Sequence, residues 1–283
     1  MDTDLAAGTL VQLAPGVSRL IAPNPGMMTG PGTNTYILGD KEVAVIDPGP
    51  VIDGHIDMIC ELAPGPIKWI LVTHTHPDHS PAVSALAKRT GAERLGRPAP
   101  DGQHQDKTFA PDRILDDGDV FETSEFELEV ILTPGHASNH LCYFKKEPGW
   151  LFTGDHIING STVVIDPPDG NMSDYLSSLE RLMDKVLTVI APGHGDPIDS
   201  PYEAIDWLIE HRMEREAKVI AALEKNPNLT QAELVPHAYD DVHERLYKWA
   251  ERSLLAHLLK LQDDKKAVQE DDRWNLTSGS LNY

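Results

Sequence analysis

The chain has 283 residues, 40% of them hydrophobic, and a net charge of −21. That size and apolar content suit a globular protein with one large domain, or a large and a small one, and the acidity repels polyanions, which disfavours a nucleic-acid partner. The N-terminal residues lack the basic and apolar regions of a secretory signal, no apolar run is long enough to span a bilayer, and Cys60 and Cys142 form no metal or redox spacing, so no membrane partner and a reducing, cytoplasmic setting are expected.

In chain order, Val17 to Ile21 is strand-like. Pro23 to Thr33 is dense in Pro and Gly, with Met27 and Met28 at its middle. It reads as a mobile loop, either a flap whose methionines touch an apolar part of a ligand or an ordinary hairpin tip. Thr35 to Leu38 and Val43 to Ile46 read as strands paired across a Gly39-Asp40 turn. Asp47 ends the second, where a carboxylate can hold a nearby histidine by hydrogen bond. Asp53 to Ala63 has helical spacing, with Ile56, Ile59 and Leu62 on one face, Cys60 expected in the core and His55 at the surface.

Trp69 to Val72 is short, apolar and preceded by Pro64-Gly65-Pro66, which predicts a buried strand. Further on, Ser80 suits a helix N-cap, Pro81 the first helical position and Gly91 the stop. Between strand and helix lies Thr73-His74-Thr75-His76-Pro77-Asp78-His79. Polar groups can converge on such a loop without breaking secondary structure. Histidine and carboxylate together are the ligand set of Zn²⁺ and related transition metals. A plain polar turn has no need of four ligand-type side chains at this spacing.

From Gly91 to Asp119 the chain is polar, and His104 reads as a solvated loop residue. Phe126, Leu128, Val130 and Leu132 alternate with polar residues, the mark of a half-buried strand that leads to His136. His140, four residues on, suits an orienting partner, a donor to a developing oxyanion or a structural hydrogen bond. Leu141 to Phe144 and Leu151-Phe152 read as strands, the second followed by Asp155. Thus His74, His136 and Asp155 each follow a strand, so one rim of a sheet-based fold gathers them. Gly160 to Met172 is irregular and suits the wall of a substrate pocket. Ser173 is expected to cap a helix with Tyr175, Leu176, Leu179, Leu182, Met183 and Val186 in the core, and Leu187 to Ala191 to deliver His194.

After Asp199 the character changes. Ser200-Pro201-Tyr202-Glu203 and Thr230 to Glu233 read as capping boxes, Arg245 to Leu261 as a further helix, and Ala267 to Leu276 as a hairpin. Three helices and a hairpin are the pattern of a winged helix. Its third helix carries Arg245, Lys248 and Arg252 on one face, diluted by Glu244 and Glu251; packing against the first domain is favoured over phosphate contact.

His-x-His-x-Asp-His resembles the signature of the metallo-β-lactamase superfamily. The rest of that pattern follows in order: Asp47 in Ile46-Asp47-Pro48-Gly49, His136 in Thr133-Pro134-Gly135-His136, Asp155 in Thr153-Gly154-Asp155 and His194 in Pro192-Gly193-His194-Gly195. Pro25 to Tyr36, His74 to Ser80 and the C-terminal extension look like the β-lactamase-like protein 2 branch. One departure is Pro81-Ala82, where many members have Gly-Gly; it bears on substrate class and leaves the ligand positions intact. The resemblance implies an α+β fold, an αββα sandwich over 1–199 followed by a small all-α winged-helix-like domain over 200–283. It implies two Zn²⁺ ions, one held by His74, His76 and His136, the other by Asp78, His79 and His194, with Asp155 bridging and Asp78 also orienting the nucleophile.

The function so implied is a dinuclear zinc hydrolase that uses a metal-bridging hydroxide on a small thioester, ester or amide. Glutathione thioesters are the nearest analogy. Two alternatives stand beside it: a phosphodiesterase acting on single-stranded RNA, and a metal-sensing DNA-binding regulator. An apolar pocket under Met27 and Met28 would favour the hydrolase of small substrates; a basic surface patch would favour the other two.

Overall fold

Strands with one apolar face pair into two sheets that bury those faces against each other. The computed structural model describes residues 6–102 and 104–277. The first sheet runs in chain order through β1 (Leu10–Ala14), β2 (Val17–Ile21), β3 (Asn34–Leu38), β4 (Val43–Ile46), β5 (Ile67–Leu71), β6 (Glu93–Gly96) and β7 (Arg113–Ile114). It is antiparallel as far as β4 and parallel beyond. Helix α1 (Asp53–Leu62) connects β4 to β5, and α2 (Val83–Thr90) connects β5 to β6, the crossovers that parallel pairing needs. The second sheet contains β8 (Val120–Glu122), β9 (Glu127–Leu132), β10 (Leu141–Lys145), β11 (Trp150–Gly154) and β12 (Val189–Pro192), in the order β12-β11-β10-β9-β8. Only β11 and β12 are parallel there, joined through α3 (Met172–Leu182).

Tyr36, Leu38, Ile46 and Leu71 of the first sheet meet Leu128, Val130, Tyr143 and Phe152 of the second in one core. The Tyr36 and Phe152 rings pack edge-on at 5.1 Å. The outer face of the first sheet is covered by Ile56, Ile59 and Leu86 from α1 and α2, that of the second by Tyr175 and Leu179 from α3. This is the αββα sandwich expected from the sequence.

The C-terminal part is α4 (Pro201–Lys225), β13 (Leu229–Thr230), α5 (Gln231–Ala238), a 3-10 turn (Glu244–Leu246), α6 (Tyr247–Asp263), β14 (Ala267–Glu270) and β15 (Arg273–Leu276). Helix α4 serves two cores. Its Ile205 and Leu208 join the cluster around α3, while Val219, Ala222 and Leu223 join Leu234, Leu254, Leu258 and the fully buried Trp274. The hairpin forms as expected, and β13 pairs with it as a third strand, so "all-α" describes only the helical part of this domain. Among the described residues no helix is long and apolar enough to cross a membrane.

Several local expectations give way to longer-range contacts. His55 is buried, its Nε2 3.0 Å from Thr35 Oγ1 on β3, while Cys60 packs half-buried against the core beneath α1, as expected. Helix α3 stops at Leu182, so Val186 falls outside its apolar stripe and is exposed. The α3 cap is Asn171, whose side chain accepts from Asp174 N, and not Ser173. Ser80 caps nothing: its hydroxyl donates to Asp106 Oδ2 at 2.7 Å, and α2 begins at Val83. Ser200 stands before α4 without a side-chain cap bond, whereas the Thr230–Glu233 box forms in both directions.

Candidate metal centre

All seven side chains singled out from the sequence meet at one rim of the sandwich. His74, His76, Asp78 and His79 lie on the loop after β5, His136 follows β9, Asp155 follows β11 and His194 follows β12. They form two groups, His74, His76 and His136 in one and Asp78, His79, Asp155 and His194 in the other; within each, the donor atoms lie within 4.8 Å of one another. In the first, His76 Nδ1 is 3.0 Å from His74 Nε2 and 2.9 Å from His136 Nε2. In the second, Asp78 Oδ2 and Asp155 Oδ1 each lie 3.2 Å from His194 Nε2, and 3.4 and 3.3 Å from His79 Nε2. The other oxygen of Asp155 is 3.8 Å from His136 Nε2, so this carboxylate spans both groups.

The outward nitrogen of four of these imidazoles is pinned. His79 Nδ1 donates to Asp47 Oδ2 at 2.9 Å, His136 Nδ1 to Val164 O at 2.8 Å and His194 Nδ1 to Gly32 O at 3.1 Å. His74 Nδ1 lies 3.0 Å from Thr73 Oγ1, whose own proton goes to Asp47 Oδ2 at 2.6 Å. Asp47, expected to hold a ligand histidine, therefore orients His79 directly and His74 through Thr73, and its Oδ1 accepts from Thr73 N at 2.8 Å. Each pinned ring turns Nε2 inward, the arrangement metal-binding histidines adopt.

Close approach at the rim requires glycine. A Cβ on Gly193 would stand 2.6 Å from Asp155 Oδ1 and 2.9 Å from His79 Cε1. Gly154 has φ +46°, and a Cβ there would meet Thr73 Oγ1 at 2.4 Å. His140 stays outside the donor groups: it is fully buried, hydrogen-bonded through Nδ1 to Thr133 Oγ1 at 3.0 Å, and its ring stacks on His74 at 4.9 Å. It supports the ring of His74 from behind.

Electrostatics divide the two groups. Burial, together with His79 and His76, pushes His74 well below the ordinary imidazole range; burial and His136 push His76 to about 3. Burial also opposes charge on His79 and His194, yet the surrounding carboxylates win: Asp78, Asp155 and Asp47 raise His79 well above its usual value, and Asp155 and Asp78 raise His194 to about 10. The second group thus carries protons between its carboxylates that a bound cation would displace. Among the described residues, His79 Nε2, His194 Nε2 and Asp155 Oδ1 are buried without an aligned hydrogen bond, the two nitrogens standing 3.3 and 3.2 Å from the carboxylate oxygen. Buried polar atoms are normally satisfied, so this convergence, with an N/O donor set, fits a transition metal in each group.

Sequence reasoning missed Thr73, and also the carbonyls of Gly32 and Val164, which carry no side-chain signal. It missed His156 as well, fully buried against the Tyr175 ring at 5.0 Å.

Beside the rim opens a cleft of about 350 Å³. Met27 and Met28 of the loop before β3, residues 161–164, and Arg212, Tyr239 and Trp249 of the C-terminal domain line it. Val164, whose carbonyl holds His136, is part of its wall, so cleft and donor groups share one strip of backbone.

The metallo-beta-lactamase superfamily model matches residues 28–194, and that of the beta-lactamase associated winged helix domain matches residues 230–274. The chain is 31% identical over 271 residues to a beta-lactamase-like protein 2 homolog of Drosophila melanogaster, covering 91% of each chain. It is 33% identical over 275 residues to an atrochrysone carboxyl ACP thioesterase of Aspergillus chevalieri, covering 92% of this chain and 85% of the relative. A beta-lactamase domain protein from Burkholderia ambifaria superposes with a TM-score of 0.83 at 22% identity, covering 98% of this chain and 96% of that one, which shows a shared fold. The domain matches, the full-length relatives and the donor groups at the sheet rim agree: the chain is an enzyme of the metallo-β-lactamase superfamily, a metallohydrolase with a C-terminal winged-helix domain.

Proposed function

We propose that the protein is a dinuclear zinc hydrolase of small acyl thioesters, with esters and amides as chemically related substrates. The observation that carries this reading is the pair of incomplete donor sets spanned by Asp155, open beside a cleft walled by methionine and tryptophan. His74, His76 and His136 would hold one ion, Asp78, His79 and His194 the other, and Asp155 both. Two Zn²⁺ ions so held supply Lewis acidity and a hydroxide nucleophile near neutral pH. Asp78, held by Thr33 Oγ1 at 3.4 Å, would also orient the attacking oxygen. Asp47 and Thr73 keep His79 and His74 in register, and the Met27-Met28 loop covers the substrate and limits water. Addition of water and cleavage of the C–S bond release a carboxylic acid and a thiol.

The cleft supports a small acyl substrate, and a curated relative bears the name of a thioesterase. Arg252, one of three residues of the basic face, is engaged by Asp166 at 3.1 Å across the two domains, which supports packing over phosphate contact. We take 1–199 as the catalytic domain and 200–283 as the domain that closes the cleft, in a cytoplasmic setting that keeps Cys60 and Cys142 as free thiols. The test is a hydrolysis panel with zinc-loaded protein, paired with elemental analysis. It covers acyl-glutathione, acyl-coenzyme A, a chromogenic β-lactam, bis-p-nitrophenyl phosphate and single-stranded RNA. Thioester turnover and close to two zinc ions per chain are expected. One tightly bound iron with no second metal after zinc is offered, or RNA as the preferred substrate, would overturn the proposal.

A further inference from the structure

Arg212 on α4 is only 3% exposed, yet it lines the cleft. Its Nη2 donates to Val163 O, 2.6 Å away, and its guanidinium lies 5.3 Å from the Tyr175 ring centre. Its Nε has no hydrogen-bond partner, and among the described residues no carboxylate comes within 4.0 Å. The nearby acids are taken: Asp241 by Arg215 at 2.8 Å, Glu216 by Lys260 at 3.0 Å and Asp166 by Arg252 at 3.1 Å. A buried cation without a counter-ion is costly, and proteins normally pair such charges. This one faces open volume, beside the hydroxyl-bearing Ser161, Thr162 and Ser253. In a chain of net charge −21, it makes the cleft locally attractive to an anion.

The position relative to the donor groups is set by the backbone. Arg212 binds the carbonyl of Val163, and His136 binds that of the next residue. The guanidinium and the donor centre are therefore tied to neighbouring residues of one segment, on the order of 10 Å apart. Trp249 and the exposed Met27 and Met28 supply apolar surface in the same cleft.

We infer that Arg212 is a specificity residue that binds an anionic group, carboxylate or phosphate, at the far end of an otherwise apolar thioester whose scissile carbonyl lies at Asp155. This rests on the hydrolase reading. The guanidinium is suited to carboxylate and phosphate alike, because its planar donors match both. The anion can belong to the acyl group or to the thiol that leaves, and a substrate square separates these: butyryl and glutaryl thioesters, each of N-acetylcysteamine and of glutathione.

With wild-type protein the anionic member of one pair should exceed its neutral counterpart by about ten- to a hundredfold in kcat/KM, mainly through KM. Arg212→Gln should bring that ratio close to one, and Arg212→Lys should keep part of it. Calorimetric titration with glutarate and with inorganic phosphate gives a readout independent of turnover: binding to wild type and none to Arg212→Gln. If Arg212→Gln fails to fold, competition by glutarate against the neutral ester in wild type decides. A wild-type ratio near one without glutarate or phosphate binding, or a preference that survives Arg212→Gln, overturns the inference. If no thioester is hydrolysed yet wild type alone binds the anions, the anion site stands and the hydrolase reading falls. If the neutral ester is hydrolysed and the anions do not bind, only the anion site falls.

Discussion

Asp47→Asn tests how far the hydrogen-bond shell, as distinct from the ligands, sets metal affinity. Asp47 is 2% exposed and accepts three hydrogen bonds, from Thr73 N, Thr73 Oγ1 and His79 Nδ1. Asparagine keeps the shape and the acceptor for Thr73 N. The amide NH₂ then replaces Oδ2, facing two donors. The Thr73 hydroxyl can rotate away from the conflict. His79 can relieve it only by moving its proton to Nε2, the atom turned towards the second donor group. A charge-assisted hydrogen bond of roughly 1.5–3 kcal/mol is lost, and a neutral His79 is left with its lone pair on the wrong side. Loss of such an orienting partner typically costs about ten- to a hundredfold in metal affinity. The weakened step should be the second of two, since His76 and His136 of the first group do not touch Asp47. Titration of the apoprotein with Zn²⁺ against a chromogenic chelator resolves the two steps, and a thermal melt confirms folding. Two steps at wild-type affinity in a folded Asp47→Asn protein would refute the reasoning.

Asp155→Ala removes the carboxylate that spans both groups, so hydrolysis should be largely abolished while the melting profile stays cooperative; near wild-type turnover would show that its role is misread. Gly193→Ala places a methyl 2.6 Å from Asp155 Oδ1, so metal content and activity should both fall, and a variant with wild-type zinc content would refute the close-packing argument. Burial holds His55 neutral to about 4, and burial with Arg212 and Arg215 holds His257 neutral to about 3. Both folded-state values lie below the unfolded value, so the unfolded chain takes up protons first and stability falls with pH below about 6.5. From pH 7 to pH 5 the loss is roughly 2 kcal/mol for each histidine, and His55→Gln in chelator-treated protein should remove about that much of the pH dependence of stability, the remainder coming from His257 and the other buried imidazoles, His74, His76, His140 and His156; an unchanged dependence would show that His55 does not contribute. Truncation after residue 199 removes Ile205 and Leu208 from the cluster around Tyr175 and Leu179, so the shortened chain should aggregate; a monodisperse product would mean that α4 contributes little to the first domain.

The donor residues were legible because their chemistry is local in sequence. His74, His76, Asp78 and His79 fall within six residues of one loop, directly after an apolar run, and His136, Asp155 and His194 each close another such run. Side-chain alternation marks a strand, a strand end fixes where the next loop emerges, and strands of one sandwich share their rims. The same periodicities mark single strands and helices and a sheet-based fold; the αββα layering itself was implied by the resemblance to the superfamily.

Which neighbour covers a face is decided by the assembled structure. His55 and Cys60 lie on one short helix; periodicity placed His55 at the surface, yet its contact with Thr35 on β3 buries it, whereas Cys60 packs against the core as expected, though only half-buried. Ser80 has the position of a helix cap, yet the carboxylate of Asp106, 26 residues on, takes its hydroxyl. The carbonyls of Gly32 and Val164 orient His194 and His136, and every residue has a carbonyl, so composition says nothing about them. Arg212 is one of 24 basic residues in the sequence, and nothing local distinguishes it. Its burial without a counter-ion exists only because α4 leaves the C-terminal core and lies across the first domain. Donor type is a property of the residue and its loop, whereas orientation, burial and charge compensation belong to contacts between distant segments, so the sequence by itself determined which donor groups end on the rim and the tertiary structure decided the cleft that meets them.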